Sequence, residues 1–232
     1  VLEAALNLLG ERASEKDFEG ALELLAPLLA GKNKTSRNAS SDSLAKFCPP
    51  ERLGDLAIAQ GFVGSWKVVG PFANDRYNKG FAEAYGPETD WDAGNYKAKY
   101  RWEFGGGNEE RELDLSWIGT VPENVDGEIH LAARMPVPVK YAVAYAKTEV
   151  LSDKEREVRL SIELREETAQ SIWLNGKEVV KYTVQRNELG GSAEQRRLGI
   201  PHRSKSVKVR LSEGTNEVVI KSSTFGGDWR LS

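Results

Sequence analysis

Tryptophan is the residue type in this sequence whose chemistry and placement best fit a binding site. The chain has 232 residues and six tryptophans. A flat ring offers an apolar face that the C–H groups of a sugar can cover, while amide, carboxylate and guanidinium groups bind the hydroxyls. Trp91 lies between Asp90 and Asp92 in a polar stretch, which predicts an exposed ring. Trp66 and Trp173 lie in strand-like apolar patterns, which predicts that both are core residues.

Two polar segments supply the hydrogen-bonding groups that such a site needs. Residues 74–80 have the composition of a turn, and residues 185–205 form a long arginine-rich connection. The second segment is either a solvated loop or a contact for anions and uronic acids. The second alternative arises because the planar guanidinium group of arginine forms paired hydrogen bonds with a carboxylate. Trp117 is predicted to anchor a loop over residues 114–128. The candidate ligand-binding residues are Asn74, Arg76, Tyr77, Trp91, Trp102, Arg186, Arg197 and Trp229.

The sequence offers little material for catalysis. His130 and His202 are far apart in the chain, and neither lies in a metal-ligand pattern. Cys48 is the single cysteine, so a disulfide within this chain and a cysteine-cluster zinc site are excluded. The sequence contains no nucleophile elbow, phosphate loop, zincin helix or dinucleotide fingerprint. Carboxylate pairs of the glycosidase type stay open, because spacing along a sequence cannot reveal them. We predict that this chain is not an enzyme, with no cofactor and no metal.

Composition excludes two classes of partner. The chain carries 32 Lys and Arg against 35 Asp and Glu, for a formal net charge of −3. Such a balance gives no long-range field for nucleic acid or an anionic membrane. No apolar run approaches the roughly 18 residues that a membrane-spanning helix needs. With 40% hydrophobic residues, the chain has enough apolar material for a folded core.

The first sixty residues predict a small helical segment. Apolar residues at helical spacing predict one helix over residues 2–9 and a second over residues 14–29, which Pro27 should kink or shorten. Residues 31–50 are polar and irregular, which predicts a linker or exposed loop. A Pro-Pro pair then opens a short helix over residues 50–60.

From Gly64 onward the apolar period changes to two. Residues 158–164 alternate without a miss, which predicts a half-buried antiparallel strand. Residues 141–146 are apolar on both faces, which is typical of a strand that is buried on both sides. Asn175–Gly176 between two apolar runs predicts a hairpin, and residues 66–72 predict a strand that ends in a Gly-Pro turn. Short strands with no helix between them predict an antiparallel sandwich or jelly roll.

Several segments, taken in order, resemble a module of large secreted bacterial proteins. They are Trp66-Lys-Val-Val-Gly-Pro-Phe-Ala-Asn74, Gly80-Phe81, Tyr85-Gly-Pro-Glu88, Val143-Ala-Tyr-Ala146, Ile172-Trp-Leu-Asn-Gly-Lys177, Leu211-Ser-Glu-Gly-Thr-Asn-Glu-Val-Val-Ile-Lys221 and Gly227-Asp-Trp229. The set resembles a galactose-binding-like β-sandwich, and its Trp-Leu-Asn-Gly-Lys hairpin also resembles that of PA14-type sugar-binding domains. The leading helices resemble one pair of a tetratricopeptide-type repeat. PA14-type lectins carry an Asp-Asp-Gly calcium segment where this chain has residues 165–170, so the resemblance transfers no calcium site.

The residues and the resemblance together predict a mainly β chain. We expect a small N-terminal α-helical segment over residues 1–60 and a jelly-roll, galactose-binding-like antiparallel β-sandwich over residues 64–232. The expected function is a non-catalytic carbohydrate-binding or accessory module of a larger extracytoplasmic bacterial protein, with a glycan or polysaccharide as partner. Two alternatives stay open. One is a structural or assembly subunit that contacts proteins through its helices, and the other is a fragment of an enzyme whose active site lies outside this chain.

Overall fold

The computed structural model describes most of the chain. The described residues are 18–29, 31, 34–45, 48–102, 109–124, 127–164, 169–183, 203–226 and 229–231. The chain divides into two compact units, one of residues 1–66 with 120–129 and one of residues 67–119 with 130–231. The molecule is mainly β, with a large antiparallel sheet and a small N-terminal helical segment, so the predicted fold class is confirmed. The domain boundary near residues 60–64 remains a prediction.

The helical unit is built on one apolar cluster. Helix α1 spans Phe18–Leu29, α2 spans Lys34–Ala45, and α3 spans Leu53–Ala59 after a 3-10 turn at Pro50–Arg52. The buried members of this apolar cluster are Phe18, Ala21, Leu25, Leu29, Leu44 and Leu56. α1 continues past the exposed Pro27 to its end, so the expected shortening does not occur there. The helix predicted over residues 2–9 lies outside the described residues.

The predicted linker over residues 31–50 is wrong, because α2 lies within it. Ser40, Ser43 and Leu44 are buried although the segment is polar overall. Ser43 Oγ donates to the carbonyl of Ala39 at 2.8 Å, so this hydroxyl is satisfied by its own helix. Small serine side chains let α2 pack against α1 with few apolar residues, which a reading by composition cannot detect.

The strands along the described chain are β1 Trp66–Ala73, β2 Asn95–Trp102, β3 Glu109–Ser116, β4 Ile118–Thr120, β5 Ile129–His130, β6 Ala142–Ser152, β7 Arg156–Leu164, β8 Gln170–Leu174, β9 Lys177–Tyr182, β10 Arg203–Leu211, β11 Gly214–Thr224 and β12 Arg230–Leu231. The large sheet has six of these strands, in the order β4-β1-β6-β11-β8-β9. Two-stranded sheets pair β2 with β3, β7 with β10, and β5 with β12. The central strand β11 is antiparallel to both of its neighbours, β6 and β8.

The sequence patterns locate most of these strands correctly. β7 and the doubly buried first half of β6 are confirmed. Asn175 and Gly176 join β8 to β9 with φ of 50° and 76°, the left-handed conformation that a tight hairpin requires. The turn predicted at Gly70–Pro71 is wrong, because β1 continues to Ala73. The pairing of β1 with β6 is irregular between Val69 and Phe72, and this irregularity accommodates the Gly-Pro pair within the strand.

One face of the large sheet is covered by the long connection from β1 to β4. That connection contains a 3-10 turn at Lys79–Ala82 and a one-turn helix α4 at Gly86–Thr89, so the expectation of no helix between strands is wrong. Buried side chains of its β2–β3 hairpin join a core cluster with residues of β1, β6 and β11. The buried cluster comprises Val69, Phe72, Tyr96, Ala98, Leu115, Val143, Tyr145 and Val219.

Candidate functional site

The site starts from a row of side chains that crosses the large sheet. Lys67 on β1 pairs with Lys147 on β6, Lys147 pairs with Val219 on β11, and Val219 pairs with Trp173 on β8. Directly paired residues share a face of an antiparallel sheet. Two lysines and a half-buried tryptophan therefore lie on one line across this face.

Trp91, in the segment that follows α4, lies against this row. The ring of Trp91 lies 5.6 Å from that of Trp173 at an interplanar angle of 49°, and 5.9 Å from Tyr145 in an edge-on arrangement. Trp91 is half-buried against the core rather than fully exposed as predicted. Its neighbour Asp92 keeps 89% of its side chain exposed.

Lys147 ties this segment to the sheet. Its Nζ donates to the carbonyl of Trp91 at 2.5 Å and lies 3.3 Å from Asp92 Oδ1. It also lies 4.8 Å from the centre of the Trp117 ring, within cation–π range. One ammonium group therefore connects the sheet, the Trp91 segment and the end of the β2–β3 hairpin.

Trp117 borders an open depression of about 390 Å³, lined by Lys67, Asp92, Gly94, Trp117, Gly119 and Lys147. The Trp117 ring is fixed, because its Nε1 donates to Tyr96 Oη at 3.1 Å, and Tyr96 Oη donates to the carbonyl of Asp90 at 2.8 Å. Two glycines line the depression, so backbone is open to a ligand there. We define the Trp–Lys face as Lys67, Trp91, Asp92, Trp117, Lys147 and Trp173.

A buried ion pair lies one row further along the same face of the sheet. Lys221 on β11 pairs with Tyr145, and its Nζ lies 2.6 Å from Glu88 Oε1 and donates to the carbonyl of Glu83 at 2.6 Å. The rings of Phe81, Tyr85 and Tyr145 surround that Nζ, with centres 5.4, 5.5 and 5.6 Å away.

Burial governs the protonation chemistry around this ion pair. Burial lowers the pKa of Lys221, an effect that Glu88 opposes. Burial, followed by the hydrogen bond that its hydroxyl donates to Glu88, raises the pKa of Tyr145 above its usual range. Burial also raises the pKa of Tyr85 to about 12. Both tyrosines are therefore neutral hydrogen-bond donors at ordinary pH.

Three predicted site residues lie at the other end of β1. Asn74, Arg76 and Tyr77 follow Ala73, six positions along the strand from Lys67 and so roughly 20 Å from that end. Asn74 Nδ2 donates to Asn78 Oδ1 at 2.8 Å, and the exposed Arg76 lies over the Tyr77 ring at 4.8 Å. The structure places these residues away from the Trp–Lys face.

The remaining candidates are placed elsewhere. Trp102 ends β2 opposite Glu109, at the far end of that hairpin from Trp117. Trp229 is 1% exposed and donates from Nε1 to Ser222 Oγ at 3.0 Å, so its ring presents no face for a sugar. Arg186 and Arg197 lie outside the described residues.

Sequence reasoning missed most of the Trp–Lys face. Lys67, Lys147 and Asp92 are ordinary charged residues in the sequence, and only the strand register brings them together. Trp173 packs against the core cluster, in line with its prediction as a core residue, and Trp117 is anchored through Tyr96; both rings are half-buried. Alternation within β6 predicts which face Lys147 shares with Tyr145, but not which strands flank them.

The residues considered for catalysis are not gathered at this site. His130 lies in β5, and His202 lies outside the described residues. Burial raises the pKa of Cys48, in the helical unit, to about 11, so the thiol is protonated at neutral pH. Within the described ranges, no group of three or more His, Cys, Asp and Glu side chains has an arrangement that could hold a metal ion. No helix in the described part of the chain is long and apolar enough to cross a membrane.

Comparison with known proteins does not assign this chain to a family. No family model matches the chain, and no curated protein matches it. A solved structure that matches is the native structure of a family 35 carbohydrate binding module from Clostridium thermocellum, at 16% sequence identity and a TM-score of 0.24. That match covers 38% of this chain and 68% of the other.

Proposed function

We propose that this chain is a non-catalytic carbohydrate-binding module that binds its ligand at the Trp–Lys face. The observation that carries the proposal is the open depression of about 390 Å³ beside the fixed Trp117 ring. Its volume falls within the range of about 300–1,000 Å³ that is usual for small-molecule sites.

The groups at this face match the apolar C–H surface and the polar hydroxyl groups of a sugar. Trp117 offers apolar ring surface at the depression, and the half-buried Trp91–Trp173 pair lies on the same face of the sheet. Asp92 supplies exposed acceptor oxygens, and the exposed Lys67 supplies a donor for hydroxyl groups. Lys147 is largely occupied by Trp91 and Asp92, so its main role is to fix the site.

Affinity electrophoresis tests this proposal. The purified chain is run through gels that contain xylan, pectic galactan, galactomannan or polygalacturonate. We expect at least one polysaccharide to retard the wild type, and Trp117→Ala to weaken that binding about twofold to twelvefold, since a well-placed aromatic contact is worth about 0.5–1.5 kcal/mol. Tyr77→Ala is the matched control, because it removes a 55% exposed ring at the opposite end of β1.

Two results would contradict the proposal. One is no retardation of the wild type in any gel, which would favour an assembly role in which the chain contacts other proteins. The other is binding that Tyr77→Ala abolishes and a folded Trp117→Ala retains, which would place the site at the residues 74–80 turn. The wider setting, an accessory module of a larger extracytoplasmic bacterial protein, is part of the same proposal and rests on the resemblance of the residue blocks.

A further inference from the structure

The buried ion pair and the Trp–Lys face share one short segment of chain. Glu83 and Glu88 contact Lys221, and four residues after Glu88 the chain reaches Asp92. We propose that Lys221 is a positioning residue that holds residues 83–92 in place, so that Trp91 and Asp92 are presented at the Trp–Lys face. This inference rests on the proposed function for its meaning, but its geometry can be tested without a ligand.

Two lysines on neighbouring strands hold the segment at both ends. Lys221 binds it through Glu83 and Glu88, and Lys147 binds it through Trp91 and Asp92. Lys147 pairs with Val219, and Lys221 lies two residues further along β11, so the anchors are roughly 7 Å apart along the sheet. The segment therefore has a fixed register on the sheet.

The Lys221–Glu88 ion pair is far better shielded from water than the ion pair between Lys147 and Asp92. The Lys221 side chain is 3% exposed and that of Glu88 is 21% exposed, whereas Asp92 is 89% exposed. Charges at low exposure are little screened, and losing one partner leaves the other largely shielded from water without its counter-charge. Removal of either partner should therefore displace the segment rather than merely weaken a surface contact.

Tyr145 contacts both the Lys221–Glu88 ion pair and the ring of Trp91. Its hydroxyl donates to Glu88, the carboxylate that Lys221 binds, and its ring meets Trp91 edge-on at 5.9 Å. The partners of Lys221 are thus within one side chain of the Trp91–Trp173 pair. A shift of Glu88 changes the surface against which Trp91 packs.

The Trp91–Trp173 pair supplies a ligand-free readout, because two indoles 5.6 Å apart give an exciton couplet in far-ultraviolet circular dichroism. The couplet is defined as the difference between the wild type and Trp91→Phe. We expect folded Lys221→Met and folded Glu88→Gln to lose most of it. Lys97→Met, which removes a surface pair with Asp114, should retain it.

A wild-type couplet in a folded Lys221→Met or Glu88→Gln protein would overturn the inference, and so would a Trp91→Phe spectrum identical to the wild type. If Lys221→Met does not fold, the milder Glu88→Gln decides. The same variants run through the four polysaccharide gels separate the two proposals. A couplet that responds as expected in a protein that no gel retards supports the positioning role and contradicts the function.

Discussion

Replacement of Lys147 by Met tests how the Trp–Lys face is held. Methionine keeps an unbranched apolar side chain in the position of the lysine stem, so the change mainly removes the ammonium group. That group makes three contacts, with the carbonyl of Trp91, the carboxylate of Asp92 and the ring of Trp117. The lysine side chain is only 14% exposed, so water replaces these contacts incompletely.

The three contacts differ in strength. The charge-assisted bond to the Trp91 carbonyl at 2.5 Å should contribute about 1.5–3 kcal/mol. The cation–π contact with Trp117 should add about 0.5–1 kcal/mol. Because Asp92 is 89% exposed, its ion pair should contribute at most about 1 kcal/mol. We therefore expect Lys147→Met to lower the free energy of unfolding by about 2–5 kcal/mol and Asp92→Asn by less than about 1 kcal/mol.

Urea unfolding followed by far-ultraviolet circular dichroism measures both changes on the same protein. If the slope against urea is equal in the two variants, the midpoints report stability directly. Equal destabilisation by Lys147→Met and Asp92→Asn would refute the reasoning, because the surface ion pair would then dominate. An unchanged midpoint in Lys147→Met would refute it as well.

Three further predictions concern the scaffold. Asn216 is fully buried, and its side-chain amide accepts a 2.8 Å hydrogen bond from the backbone N–H of Ser212 and donates one of 2.8 Å to the Ser212 carbonyl. Asn216→Ala should therefore lower the free energy of unfolding, measured in urea, by about 2–3 kcal/mol. A loss below about 1 kcal/mol would contradict this prediction. The pKa of Tyr85 rises to about 12 from an ordinary 10.0, so the unfolded state ionises first and stability falls by up to about 1.4 kcal/mol per pH unit between these values. A pH titration of the melting temperature should show a shallower alkaline fall in Tyr85→Phe, and an unchanged fall would count against it. A Cβ at Gly80 would collide with the carbonyl of Ala73, so Gly80→Ala should lower the melting temperature, whereas Gly94→Ala, which has open space, should not.

Local chemistry in the sequence predicts local structure well. The Asn175–Gly176 hairpin and the alternation of β7 depend on neighbouring residues, and both are confirmed. α2 could not be predicted, because its buried serines carry no apolar signal. The Trp–Lys face could not be predicted either, since Lys67 and Lys147 meet only through the register of two strands that are distant in sequence.

The residue blocks behind the resemblance have a structural explanation. Phe72, Phe81, Tyr85 and Glu88 come from the early blocks, and Lys221 ends a late one. In the fold they gather around the buried ion pair, with Phe72 stacked on Tyr85 at 5.0 Å. These blocks therefore specify a packing arrangement of the sandwich. Asp92 and Trp117, which belong to the proposed ligand site, lie outside these blocks.

Indole N–H resonances test the central claim most directly, because each tryptophan of the nitrogen-labelled protein gives a separate signal. A polysaccharide fragment that retards the chain in affinity gels is titrated into the sample. The account predicts that the signals of Trp91, Trp117 and Trp173 shift, while those of the buried Trp66 and Trp229 stay in place. Shifts confined to the buried pair, or a complete absence of indole shifts in a protein that binds, would contradict a site on the Trp–Lys face.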